Sequence, residues 1–176
     1  MNKKYGLTDD SIEIDGHVLY RIRSLRSADL GGYVESEDNL SHMGNCWICK
    51  NAKVFGNAHV NDNAQVYGFA QVFGNARISE YAEISGNSKI FECSEVSGDV
   101  HIDGYARVFG NAHISGDVRI YGYSQIYGDA WIVDVDNHVR LYGRFKIDHG
   151  VWDRQIYIGS EPYLISRTLE KLFIGK

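Results

Sequence analysis

Residues 52–75 read AKVFGN AHVNDN AQVYGF AQVFGN, four hexads on one template. Each opens on Ala and carries Val two residues later. The frame extends in both directions. From Ile48 to Ile132 every sixth residue is Ile or Val, and two residues before each stands a small or aliphatic residue, from Cys46 to Ala130. Fifteen consecutive hexads without a slip define a repeat architecture. Alternation sends Ala52 and Val54 to one side and Lys53 and Phe55 to the other. Gly56-Asn57 then turns the chain, since both residues tolerate positive φ. Three such units close a triangular coil of eighteen residues, and successive coils stack as parallel strands about 4.8 Å apart. The expected fold is an all-β, single-stranded parallel β-helix with about five full coils over 46–135, roughly 24 Å tall. Its interior is a column of Val and Ile with Ala at the corners.

The chain has 176 residues and a net charge of -5, so bulk attraction to nucleic acid or anionic membrane is not expected. No apolar run is long enough to span a bilayer, and no signal peptide is expected at Met1-Asn2-Lys3-Lys4. One proline and nineteen glycines suit repeated tight turns. Three cysteines make no disulfide framework, and a cytoplasmic setting is expected.

This pattern resembles the hexapeptide-repeat, left-handed parallel β-helix superfamily; the handedness comes from that resemblance. Gly falls two residues after the aliphatic position here, where the commoner enzyme motif has it one after. Over residues 16–65, Gly31-Gly32-Tyr33-Val34-Glu35-Ser36-Glu37-Asp38-Asn39-Leu40-Ser41 and Gly44-Asn45-Cys46-Trp47-Ile48 are similar to the opening of uncharacterised bacterial and phage β-helix proteins. Some of those are filed as transferases on fold alone. The resemblance implies a homo-oligomer, most simply a trimer, and a phage origin.

One domain is expected: an N-terminal cap over 1–45, the β-helix over 46–148 and a C-terminal extension over 149–176. Ile12 and Ile14, the turn Asp15-Gly16, then Val18, Tyr20 and Ile22 read as a β-hairpin over residues 11–23 that protects an open strand edge. After Ile132 the frame slips by three, and Val139, Leu141 and Gly143 resume it. Residues 150–165 read as strands outside the helix frame, and Ser166–Phe173 as a short helix.

Sorting outward positions by hexad number gives three faces. The second carries an aromatic ladder, Phe55, Phe73, Phe91, Phe109 and Tyr127, beside Lys53, Gln71, Lys89, Arg107 and Gln125. Such a stripe reads as an oligomer interface, as a floor for the C-terminal tail, or as a stacking platform for a flat anionic ligand. The third face carries His59, Arg77, Glu95, His113 and Trp131; the first carries Trp47, Gln65, Glu83, His101 and Arg119, with Tyr67, Asp103 and Tyr121. One corner is aromatic at Phe69, Tyr105 and Tyr123. Another is acidic at Asp62, Glu80, Asp99, Asp117 and Asp134, which reads as a solvated edge before it reads as a calcium site.

Acyl transfer needs a His base, often oriented by a carboxylate. His113, Glu95 and His59 are the candidates, with Glu95 one coil from His113. The transferases of this superfamily tend to interrupt their coils with a pocket-shaping loop, and residues 46–135 contain no insertion. Zinc chemistry is disfavoured: His59 and His113 lie three coils apart, about 14 Å, against a Zn–N bond of about 2.0–2.1 Å. Cys46-Trp47-Ile48-Cys49 spells C-x-x-C, but Cys46 points inward and Cys49 outward. No phosphate loop, nucleophile elbow or dinucleotide fingerprint appears, so no cofactor or metal is expected. The reading is a non-catalytic, oligomeric binding protein that sequesters a nucleotide-like anion at subunit junctions, through Lys89, Arg107, Arg119, Tyr67 and Tyr121. An acyltransferase and a purely structural trimer are the alternatives.

Overall fold

The computed structural model describes residues 3–134, 139–141, 143, 145–152, 156–158 and 163–165. Ser166–Phe173, read as a helix from sequence, lies outside the described residues. The chain forms a parallel β-solenoid. Short strands such as Lys53–Val54, Gln71–Val72, Lys89–Ile90 and Arg107–Val108 pair in register, each eighteen residues after the last. The first face is a seven-stranded sheet; the second and third share a fourteen-stranded sheet, joined by the long strand Gln125–Val133. Every inward Ile or Val from Ile48 to Ile132 is fully buried, and so are nearly all the small residues between them. Each such Ile or Val contributes about 1.5–3 kcal/mol.

The corners turn on the residue after the outward aromatic position. Gly56 and Gly74 hold φ of 65° and 72° there. Asp62, Glu80 and Glu92 occupy the same position with φ of 56–60°, which costs an L-residue roughly 1–2 kcal/mol. Their side chains offset part of that cost. Asp62 Oδ2 accepts from the Glu80 amide at 3.2 Å and Glu92 Oε2 from the Gly110 amide at 2.8 Å, each one coil away.

The winding begins inside the segment expected to be cap alone. β1 (Tyr5–Ile14) and β2 (His17–Ser24) form the hairpin, longer than residues 11–23, and β3 (Leu30–Val34) pairs antiparallel with β2 but parallel with Lys53–Val54. Leu40 bridges to Val60 in the same sense. This opening coil is two residues longer than the eighteen-residue coils that follow it, because Val34 pairs with Val54. The excess lies between Leu40 and Ile48, eight residues apart where Val60 and Val66 are six; the 3-10 turn Glu37–Asn39, behind a Ser36 capping box, fills an ordinary corner. Tyr5, stacked on His42 at 4.5 Å and edge-on to Trp47, closes the core from below. Its hydroxyl lies 2.8 and 2.9 Å from the carbonyls of Glu37 and Leu40. Lys4 Nζ donates to the Cys46 carbonyl at 2.8 Å, so Cys46 is a packing residue of the cap seam.

At the other end the three-residue slip is present: Val118 pairs with Val139 and Gln125 with Lys146. The strands beyond residue 150 do not leave the frame, contrary to the sequence reading. Ile156–Ile158 pairs parallel with Val139–Leu141, and Tyr163–Ile165 with Phe145–Ile147. The winding thus continues across residue 149. Coil lengths vary here, from seventeen to twenty-one residues, which hides the period from a six-residue count.

Two carboxylates tie the cap to the coils. Glu35 Oε1 meets His17 Nδ1 at 2.9 Å and its Oε2 accepts from the Gly56 amide at 2.7 Å. Glu37 pairs with Lys3 at 2.7 Å. His17 and then the Gly56 amide hold the Glu35 carboxyl below its usual 4.5; Lys3 does the same for Glu37. A depressed folded-state value stabilises the fold above the unfolded value and is lost as pH falls through the folded one. The melting temperature should therefore fall as the pH drops below 4.5, and Glu35→Gln should flatten that fall. Identical acid slopes for the two proteins, measured by circular dichroism, would contradict the assignment.

Candidate anion-binding face

The aromatic ladder is continuous. Ring centroids from Phe55 through Phe73, Phe91 and Phe109 to Tyr127 are 4.9–5.1 Å apart, with interplanar angles of 2–9°. That spacing is the coil repeat. Each ring therefore covers its neighbours' faces, and what remains outward is a row of ring edges. The hairpin covers the first rungs: Leu19 is fully buried with Phe55, and Ile12, Ile14 and Phe73 pack against them. His17 adds a ring at 5.2 Å from Phe55. The sequence reading left open whether a tail or a neighbouring subunit covers this face; at its lower end the N-terminal hairpin does. A flat ligand has no face within this ladder to stack on.

Beside the rings run Tyr33, Lys53, Gln71, Lys89, Arg107, Gln125 and Lys146 in a single register column. Lys53 donates to the Asn51 carbonyl at 2.8 Å. The Arg107 guanidinium stands 5.9 Å from the Phe91 ring centre. Among the described residues Lys89, Arg107 and Lys146 have no ion-pair partner. Lys146 enters the column through the slip of three, pairing with Gln125 twenty-one residues before it. On the far side of the column lies the aromatic corner, where Phe69, Tyr105 and Tyr123 are 52–58 % exposed. Tyr105 and Tyr123 stack at 4.9 Å and 1°. In three of these coils the outward side chains read corner ring, polar or cationic group, ladder ring, as in Tyr105, Arg107, Phe109. Aromatic edges carry positive partial charge, so edges and cations together favour an anion.

The remaining candidates are elsewhere. Tyr67, Tyr121 and Arg119 are on the first face, and Tyr67 and Tyr121 are three coils apart. Tyr67 donates to Glu83 at 3.0 Å, and burial followed by that carboxylate raises its phenol. Glu83 and Asp99 bracket the two nitrogens of His101 at 3.1 and 3.2 Å. Arg119 is held by Tyr121, the larger cause of its raised value, and by Asp117 at 3.5 Å. The first face is a polar network among its own residues, and within one chain these three residues lie on a different face from Lys89 and Arg107.

On the third face His113 Nδ1 lies 3.5 Å from Glu95, with Trp131 tilted over the imidazole at 4.6 Å. His59 is separate: its Nδ1 is 2.7 Å from the Asp38 carbonyl. The acidic corner is not one column. Asp62 and Glu80 take the first corner position and Asp99 and Asp117 the second. Among the described residues no group of three His, Cys, Asp or Glu is placed to hold a metal ion, and no helix is long and apolar enough to cross a membrane. No protein-family model matches the chain, and no curated protein shows significant similarity to it.

Proposed function

We propose that this chain is a non-catalytic binding protein that holds an anionic, nucleotide-like small molecule against its second face, at the junction between copies of itself. The observation that carries the reading is the column of Lys89, Arg107 and Lys146, in register and without acidic partners among the described residues, on a chain of net charge -5. Lys89 and Arg107, one coil apart, repel by about 1 kcal/mol in water and more near a low-dielectric wall, and Lys146 adds to this from two coils away. A bound phosphate removes that repulsion. The half-buried ring edges beside the column give a second copy an apolar surface to cover, which supports an oligomer, with a trimer expected. The six-residue period supports placement in the left-handed hexapeptide-repeat superfamily, and the resemblance to phage β-helix proteins supports a phage-encoded, cytoplasmic sequestering role.

Thermal-shift titration tests the reading. Binding only to the native state raises stability by about 2.7 kcal/mol at a hundredfold excess over Kd. ATP and cyclic dinucleotides should raise the melting temperature by several degrees, without turnover. Lys89→Glu with Arg107→Glu should abolish the shift, and exchange of Tyr67 or Tyr121 for Phe should leave it intact. No shift with any nucleotide removes the reading and leaves the structural trimer; a monomeric mass in solution removes the junction. The His113–Glu95 contact favours one rival, an acyltransferase in which Glu95 orients the imidazole as base. Acyl-CoA turnover lost in His113→Ala would establish it.

A further inference from the structure

The aromatic corner lacks one rung. Its column runs Phe69, Asn87, Tyr105, Tyr123, and the coils carrying these residues are evenly hydrogen-bonded: the Phe69 amide donates to Gly86 at 2.7 Å, Asn87 to Gly104 at 2.6 Å and Tyr105 to Gly122 at 2.7 Å. Coil spacing therefore does not change where the ring is missing. Phe69 and Tyr105 are left two coils apart, about 10 Å, with the short Asn87 side chain between them. Tyr105 stacks on Tyr123 at 1°, so its other face is turned towards the empty level. Phe69 is 58 % and Tyr105 52 % exposed.

A planar ring inserted at the level of Asn87 would stand about one coil repeat from each neighbour. That is the 4.9–5.1 Å separation the protein's own rings adopt along Phe55–Tyr127. The floor of this gap is polar. Other corner asparagines bond along their columns, Asn57 to Asn75 at 3.1 Å and Asn111 to Asp129 at 2.9 Å. Asn87 lies between two aromatic residues and makes no side-chain hydrogen bond among the described residues, so its amide is available to a heteroaromatic edge, donor and acceptor both. Two residues along the same coil is Lys89; two residues beyond Tyr105 is Arg107.

We infer that the gap between Phe69 and Tyr105 is a base-binding slot, in which a nucleobase completes the aromatic column over Asn87 while its phosphates lie on Lys89 and Arg107. The inference rests on the anion-binding reading above and deepens it: the ligand class becomes a nucleoside phosphate with its base stacked on both faces, rather than any polyanion. A missing ring has meaning only where coils stack in register, as they do here.

The test compares ATP with inorganic triphosphate by calorimetry on the full chain. Wild type should bind ATP about five- to a hundredfold more tightly than inorganic triphosphate, the range expected for base stacking on aromatic side chains. Asn87→Phe supplies the missing rung from the protein, at an exposed position with no positive φ, and should fold at least as well as wild type. It should lower ATP affinity to that of inorganic triphosphate and leave the latter unchanged. Tyr105→Ala should reduce the preference for ATP in the same way. Equal affinity of wild type for the two ligands, or a full preference for ATP in Asn87→Phe, overturns the slot while the anion site stands. Failure of both ligands to bind overturns the anion site and the slot together.

Discussion

Ile90→Asp should leave no cooperative melt at 25 °C. Ile90 is fully buried and pairs in register with Val72 below and Val108 above. Removing its side chain from the interior forfeits about 1.5–3 kcal/mol. Placing a carboxylate there adds a penalty of several kcal/mol, since its neighbours in the column are Val72 and Val108 and offer no charge to pair with it. The sum rivals the whole stability of an ordinary domain, about 5–15 kcal/mol. A repeat protein adds a second consequence. Each coil is stabilised by its neighbours, so loss in the middle uncouples the two halves of the stack. Ile90→Val, which deletes one methylene, should cost only about 0.5–1.5 kcal/mol and serves as the control. A circular-dichroism melt of Ile90→Asp that overlays wild type would refute the packing described here.

Gly32→Val should detach the cap. A Cβ at Gly32 would lie 2.5 Å from the Ala52 carbonyl oxygen and 2.5 Å from Ile48 Cγ2, and one at Gly31 would lie 2.5 Å from Ile22 Cγ1. Neither glycine has a positive φ. Space, not backbone freedom, demands them: β3 passes this close to the next coil so that the hairpin can reach over Phe55. Overpacking against backbone costs about 3 kcal/mol. The larger effect is topological. Pushing β3 away uncovers Leu19 and Phe55 and opens the edge of Lys53–Val54 to intermolecular pairing. Light scattering should rise on mild heating, before the coils themselves melt by circular dichroism. A Gly32→Val protein that stays monodisperse and melts with wild type would show that the cap is dispensable.

The hexad was enough for the architecture. Inward and outward assignment from Ile48 to Ile132 follows from the alternation of Cβ along an extended chain, and each inward aliphatic residue is buried in the structure. The identity of neighbours was harder. His113 and Glu95 were foreseen as adjacent because they differ by one coil. Glu83 and His101 differ by one coil in the same way, whereas Asp99 on His101 and Asp117 on Arg119 required knowing how side chains reach from corner to face. The five residues proposed for one ligand divide between two faces, Lys89 and Arg107 on the second and Arg119, Tyr67 and Tyr121 on the first. Only Lys89 and Arg107 remain together, joined by Lys146 through a change in coil length.

What the chain determined by itself was therefore everything periodic: the β-solenoid, its dry interior, and the stripes of aromatic, cationic and acidic residues outside. A six-residue repeat is local geometry, and local geometry is written in consecutive residues. Tertiary structure decided which members of those stripes are engaged and which are open. The hairpin's path over Phe55, the cap carboxylates, the continuation beyond residue 150 and the vacancy at Asn87 arise where the period breaks or where distant segments meet. Contacts between such segments depend on the closed length of each coil, which no single hexad contains.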